Sequence, residues 1–405
     1  MTLSISTIYQ ILQLVFLIPV VFAVAYIFIF SVSGLFYKQN KDSKNKSVKK
    51  IAVLIPGYKE DEVIVDVVKE ALNQNYPKVA FDIIVIADSF LPETVDMLKS
   101  LPVKVIEVSF EKSTKSKALN KAMAQLPDIY DIAVVLDADN VMAFDFLEKI
   151  NSAFISDIKA VQGHRTAKNL NNGLAILDAI SEEINNHIFR KGHRAIGLSS
   201  AIIGSGMAFD YQYFKNLMST VKAIGGFDKE IELKMLREGH TIEYLDDAYV
   251  FDEKVQKADV FTNQRRRWLS AQFHYFKQDI GRSVYHLFFK GNVDYFDKAI
   301  QFIQPPRILL LGLTLISGLF FLILNSILPI SQYLSLAWLI TMVLCLLTFF
   351  FSIPGKFYNF QTMKALTELP KGMLLMLGSL LRIKGANKQF LHTKHTSISV
   401  KNNNK

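Results

Sequence analysis

Ile132-Ala133-Val134-Val135-Leu136-Asp137-Ala138-Asp139-Asn140 is a short apolar run that ends abruptly in two carboxylates. A continuous β-branched run of this length, bounded by turn residues, predicts a strand buried on both faces. Three similar runs precede it: Ile51–Ile55, stopped by Pro56-Gly57, then Phe81–Ala87 and Val103–Val108. Between them lie helical patterns over Glu60–Leu72, Glu93–Leu98 and Ser116–Ala124. Strands alternating with helices predict an α/β fold with a mostly parallel sheet covered on both faces. Ligands of such sheets bind beyond the carboxyl ends of the strands.

The strand ends carry Pro56-Gly57-Tyr58-Lys59-Glu60-Asp61, Asp88-Ser89 and Asp137-Ala138-Asp139-Asn140. In extended chain, residues two apart project to one side, so Asp137 and Asp139 could both address one hard divalent cation. The bland alternative is a solvated turn. Ser116 is placed to cap a helix, which puts Lys117 where a cation could meet a phosphate. An exposed lysine is the alternative. No glycine-rich phosphate loop of either common type occurs, which disfavours P-loop and dinucleotide enzymes.

Outside this region the 405-residue chain is 50% hydrophobic, and the excess is localised. Residues 1–36 hold no charged side chain, and Ile8–Ser31 is long enough to cross a bilayer, which takes about 20 apolar residues. A cleaved signal peptide is disfavoured by the length, the missing basic start and the missing cleavage site. A second uncharged block divides into Ile308–Leu328, a turn at Pro329–Gln332, and Tyr333–Phe351, a predicted hairpin. Met373–Ile383 is too short to span and reads as an interfacial helix or an amphipathic packed one. The single cysteine, Cys345, excludes an internal disulfide.

The net charge of +9 sits beside the apolar segments: Lys38, Lys41, Lys44, Lys46, Lys49 and Lys50 after the first, Arg382, Lys384, Lys388 and Lys394 after the last. That placement marks the cytoplasmic face of a membrane and argues against nucleic acid as a partner. The organisation expected is a transmembrane anchor over 1–36, a basic linker over 37–50, a cytoplasmic domain over 51–290, an interfacial segment over 291–307, a hairpin over 308–353, and an interfacial helix with a basic tail over 354–405.

Gln264-Arg265-Arg266-Arg267-Trp268 combines guanidinium forks suited to phosphate with an indole face on which a sugar ring can stack. A lipid-binding juxtamembrane helix is the alternative. The order of motifs resembles the membrane-bound family 2 glycosyltransferases, the group of the cellulose, chitin and hyaluronan synthases. Pro56, Tyr58 and Glu60 stand in a segment similar to the family's Pro-x-Tyr-Asn-Glu, Asp88 matches its uridine-binding aspartate, and Ser116–Asn120 its lysine-Ala-Leu-Asn element. Asp137 and Asp139 match its metal-binding Asp-x-Asp. Gly204-Ser205-Gly206 is similar to its acceptor-lining segment, and Gln264, Arg266, Arg267 and Trp268 stand in its Gln-x-x-Arg-Trp signature.

The resemblance implies an A-type, Rossmann-like nucleotide-sugar domain with transmembrane helices and an inverting transfer that uses magnesium or manganese. The donor implied is a UDP-sugar. The acceptor expected is a growing polysaccharide, with a lipid-linked acceptor or an inactive scaffold subunit as alternatives. The location expected is the bacterial inner membrane, with an oligomeric or export partner conceivable. The family's Glu-Asp pair is absent. In its place stands Gly225-Gly226-Phe227-Asp228-Lys229-Glu230-Ile231-Glu232, where Asp228 reads as a helix cap and Glu230 as the general base. A competing register gives that role to Asp228. The membrane portion, at three spans, is smaller than that of polymer-translocating synthases.

Overall fold

The computed structural model describes residues 5–39, 47–155, 157–223, 225–328 and 332–383. The basic residues Lys41, Lys44, Lys46, Lys384, Lys388 and Lys394 and residues 329–331 of the turn expected over Pro329–Gln332 lie outside these.

The four apolar runs form β1 (Ile51–Tyr58), β2 (Phe81–Asp88), β3 (Lys104–Val108) and β4 (Ile132–Val135). They pair in parallel, with Ile51 opposite both Phe81 and Ile132. Side-chain alternation sends Ala52, Leu54, Ile84, Val135 and their neighbours to one core, and Ile51, Val53, Val85, Val134 to the other. Helices Ile64–Ala71 and Pro92–Lys99 cover the second face, while Lys115–Gln125, Tyr211–Ser219 and Phe227–Arg237 cover the first.

Four further strands escape a reading based on apolar runs: β5 (Val141–Met142), β6 (Ala160–Ala167), β7 (Met207–Asp210) and β8 (Ile242–Asp252). Among the described residues the sheet has eight strands in the order β3-β2-β1-β4-β7-β6-β8-β5 and is mixed rather than mostly parallel. β7 runs antiparallel to both β4 and β6, and β5 to β8. The reason for the omission is visible in β6, whose buried residues include Gln162, His164, Arg165 and Thr166. Their burial is compensated by partners elsewhere in the chain, which local hydropathy does not register.

The topology gathers one edge. Because β7 is antiparallel, pairing Val135 with Met207 brings Gly204–Gly206 beside Leu136–Asp139. β6 and β8 run parallel to each other, so Arg165 and Asp252 end on that same edge.

Among the described residues three helices are long and apolar enough to cross a membrane: Ser6–Gly34, Arg307–Ile327 and Gln332–Ser352. They pack together through Val24, Ile27, Leu310, Trp338 and Cys345. Ser31 Oγ donates to the Thr348 carbonyl at 2.9 Å, tying the first helix to the third. The segment Met373–Ile383 lies within helix Leu369–Leu381 and its C-terminal flank. That helix sets Met376 against Phe261 and Leu269 of the long helix Ala258–Lys290 and leaves Leu374 and Leu381 exposed.

Candidate active site

The gathered strand ends wall a cleft of about 810 Å³. Pro56 and Tyr58 in the last residues of β1 and Glu60 just beyond it, Asp88 at the end of β2, Asp137 and Asp139 after β4, and Gln264, Arg267 and Trp268 from the long helix all line it. Asp88 is almost fully buried. Its carboxylate accepts from Ser89 Oγ at 3.0 Å.

Asp137 is held from several sides. Its backbone N–H donates to Ser205 Oγ at 2.9 Å, and the Asn140 amide lies 2.7 Å from the same hydroxyl. Gln162 Nε2 donates to the Ser205 carbonyl at 3.0 Å. Gly206 adopts φ 63, and a Cβ there would stand 3.0 Å from Val250, so the residue must be glycine for conformation and for space. The segment Gly204–Gly206 thus braces the Asp137 turn.

The cation beside Asp137 is Lys115, not Lys117. Thr114, rather than Ser116, caps the helix, its Oγ1 accepting from Lys117 N at 3.2 Å. The cap therefore falls two residues earlier than the sequence suggested. Lys115 Nζ ion-pairs with the Asp137 carboxylate and donates to the Gly204 carbonyl at 2.7 Å. Lys117 is turned outward and donates to the Lys112 carbonyl at 2.8 Å, outside the cleft. Ser116 lies inside the helix and donates to the Ala223 carbonyl at 2.6 Å.

The donor set fits a hard divalent cation bound largely by its ligand. Among the described residues no group of three or more His, Cys, Asp or Glu could hold a metal. Asp137 and Asp139 do not lie on extended chain as expected: Asn140 N donates to the Asp137 carbonyl at 3.1 Å and closes a turn, yet both residues line the cleft and are oxygen donors, as magnesium or manganese prefer. Two protein carboxylates leave the remaining positions to phosphate oxygens and water.

A second lobe of about 440 Å³ shares Lys115, Asp137, Arg267 and Trp268 with the first, so the two adjoin. Gly204 and Asp228 line it, whereas Glu230 lines neither lobe. The helix start explains the difference. Gly226, at φ 68, occupies the cap position, and a Cβ on it would meet Ala271 Cβ at 2.9 Å. Helix therefore begins at Phe227, and Asp228 is its second residue instead of its cap. Glu230 pairs with Lys234 one turn on at 2.7 Å. Glu232 is buried against Lys298 at 2.8 Å and accepts from Ile202 N at 3.2 Å.

In the long helix, Arg265 ion-pairs with Asp178 and stacks 4.3 Å from the Trp268 ring centroid. Arg267 lines both lobes, and burial lowers its pKa. Arg266 lines neither.

Reading the sequence missed a buried charge network in the cleft wall. Arg165 lies 2.9 Å from Glu182, and Lys254 lies 2.8 Å from Asp252. Burial disfavours the Glu182 carboxylate, yet Arg165, Lys254 and Arg190 outweigh it and hold the group well below the usual carboxylate range. The one local signal was the cluster Asp252-Glu253-Lys254 at the end of a β-branched run.

This mixed sheet with carboxylates at its strand ends defines an A-type glycosyltransferase-like fold. The chain belongs to the glycosyltransferases of family 2: the model described as "Glycosyltransferase like family 2" matches residues 49–271, more than half of the chain. A protein of Bacillus subtilis (strain 168) described as "Probable glycosyltransferase YdaM" is 26% identical over 269 residues, 60% of this chain and 62% of that protein. The chain thus spans about three-fifths of the length of the curated relative it matches. Among solved structures, the mannosyltransferase PcManGT from Pyrobaculum calidifontis, in complex with GDP-Man and Mn2+, is similar with a TM-score of 0.53 at 15% identity. That match covers 84% of this chain and 99% of the other, and the likeness is one of fold.

Proposed function

We propose that the chain is a membrane-anchored, inverting glycosyltransferase that moves a sugar from a UDP-sugar to an acceptor hydroxyl at the membrane surface. The observation that carries this reading is the adjacency of the two lobes, which share Asp137, Arg267 and Trp268. The first holds the donor and the second admits the acceptor.

In this reading Asp88 and Tyr58 face the nucleoside, and Lys115 exchanges Asp137 for a diphosphate oxygen when the donor enters. Asp137 and Asp139 would hold a magnesium or manganese ion, which would neutralise charge on the diphosphate. Asp228 accepts the acceptor's proton while the acceptor oxygen bonds to the anomeric carbon. The bond from that carbon to the diphosphate oxygen breaks on the opposite side, and the nucleoside diphosphate leaves with the electron pair. Arg267 stabilises the leaving charge, and Trp268 packs against a sugar ring.

Of the two acceptor classes, the second lobe favours a lipid-linked one. Its outer wall comprises Pro305, Pro306 and Ile308, at the start of an apolar helix, and Met376. The growing-polysaccharide reading is favoured by the segment Gln264–Trp268, and product length separates the two. Incubating detergent-purified protein with a panel of nucleotide sugars, and measuring nucleoside diphosphate release and the labelled product, tests the whole reading. No release from any donor would overturn it.

A further inference from the structure

The second lobe is lined by seven basic side chains against four acidic ones. Most of its arginines are matched by carboxylates. Arg165 and Arg190 reach Glu182 at 2.9 and 3.6 Å, and Arg265 pairs with Asp178. Arg307 differs, because among the described residues no carboxylate stands at ion-pair distance from it. Its guanidinium donates to Asn185 Oδ1 and, at 3.3 and 3.4 Å, to the carbonyl and hydroxyl of Ser181, all neutral acceptors. It also lies 5.4 Å over the Phe189 ring. These contacts fix the direction of the fork without neutralising it.

The position of Arg307 narrows what could neutralise it. It is the first residue of an apolar helix long enough to span, preceded by Pro305 and Pro306. It lies on the wall where the lobe meets the membrane-facing elements, while Asp228 lines the same lobe. A ligand entering there carries its anion at headgroup level and its hydroxyl further in. A planar, permanently charged fork suits a phosphate oxygen pair better than it suits a sugar hydroxyl.

We propose that the acceptor is a phosphate-bearing membrane amphiphile, with its phosphate held by Arg307 and its reacting hydroxyl presented to Asp228. This inference rests on the transferase reading above. The covalent step is unchanged: the amphiphile's hydroxyl oxygen gains the anomeric carbon, its proton passes to Asp228, and the phosphate is an anchor only. Polyprolyl rigidity at 305–306 fixes the backbone from which Arg307 projects.

The test uses the full-length protein in neutral detergent micelles with a labelled donor that the wild type turns over. Two probes are compared: phosphatidylglycerol, which has a phosphodiester and hydroxyls, and a neutral glycosyl diacylglycerol, which has hydroxyls alone. Sugar should appear on the phosphatidylglycerol. Arg307→Gln should raise the KM for that probe about ten- to a hundredfold, the usual scale for losing hydrogen bonds to a charged group. Its kcat should change much less, and Arg307→Lys should fall between.

Equal kcat/KM for the two probes, or an unchanged KM in Arg307→Gln, would overturn the proposal. So would an equal loss with both probes, which makes Arg307 a structural residue and not a phosphate ligand. Nucleoside diphosphate release with no transfer to either lipid would overturn this inference and leave the donor reading standing. Absence of any release would instead overturn the transferase reading itself.

Discussion

The Glu230 carboxylate lies 2.7 Å from Lys234 Nζ, one helical turn further on, and does not line the lobe that Asp228 lines. Two carboxylates only two residues apart on a helix cannot share a face. Asp228→Asn should therefore lower turnover by about 10²–10⁴-fold, the usual contribution of a general base. Glu230→Gln should stay within a few-fold of wild type. Steady-state kinetics on both purified variants decides between them, and a reversed pattern would return the role to Glu230.

Ser205 accepts from the backbone of Asp137 at 2.9 Å in a fully buried position. Removing its hydroxyl leaves that donor without its partner, at a cost of about 1–3 kcal/mol. Ser205→Ala should unfold at lower temperature and also bind donor more weakly, since the turn that aims Asp137 loosens. Thermal unfolding with and without nucleoside diphosphate measures both effects.

Metal removal should stop transfer, because carboxylates alone repel a diphosphate. EDTA should abolish activity, and added manganese or magnesium should restore it. Asp139→Ala should lose the stabilisation against heating that manganese plus nucleoside diphosphate gives the wild type. Full activity in EDTA would remove the cation from the reading.

His164 sets a pH test of stability. Burial disfavours its charged form, but hydrogen bonds that its ring donates to Asp246 and Glu183, 3.0 and 2.9 Å away, outweigh this and raise its pKa above the ordinary value. Lys191 and Lys356, which pair with the same carboxylates, and Tyr244 complete its charged and titratable surroundings. A raised pKa in the folded state gives stability that is complete below about pH 6.5 and fades as pH rises through the folded value. Burial opposes ionisation of Glu183 and Asp246 too, yet their partners lower both pKa values. Their share is present above about pH 4 and lost in stronger acid. The gap in unfolding temperature between wild type and His164→Gln should be widest near pH 6 and narrow by pH 9. A gap independent of pH would assign His164 a packing role only.

Topology is tested by reporters. One inserted after Ser47 and one fused at the C-terminus should report the same, cytoplasmic, side. A tag placed in the turn at 329–331 should report the other. Opposite readings from the first two would reject a hairpin.

The sequence alone determined the elements whose physics is local. β1, β2 and β4 announce themselves by apolar runs rich in β-branched residues, interrupted only by Asp82 near the start of β2, because strands covered on both faces have few polar positions; the apolar helices announce themselves by length without charge. The carboxylates at the ends of β1, β2 and β4 were legible for the same reason, since a buried strand must end where it meets water. Tertiary structure decided the rest. β6 is hidden in the sequence because Gln162, His164 and Arg165 are buried only with partners such as Glu182, Glu183 and Asp246. The choice of Lys115 over Lys117, and of Asp228 over Glu230 as the carboxylate lining the lobe, turned on helix starts fixed by Thr114 and by the close approach of Gly226 to Ala271. A shift of one residue rotates a helical side chain by about 100°, given 3.6 residues per turn, and only packing against a distant segment sets that register.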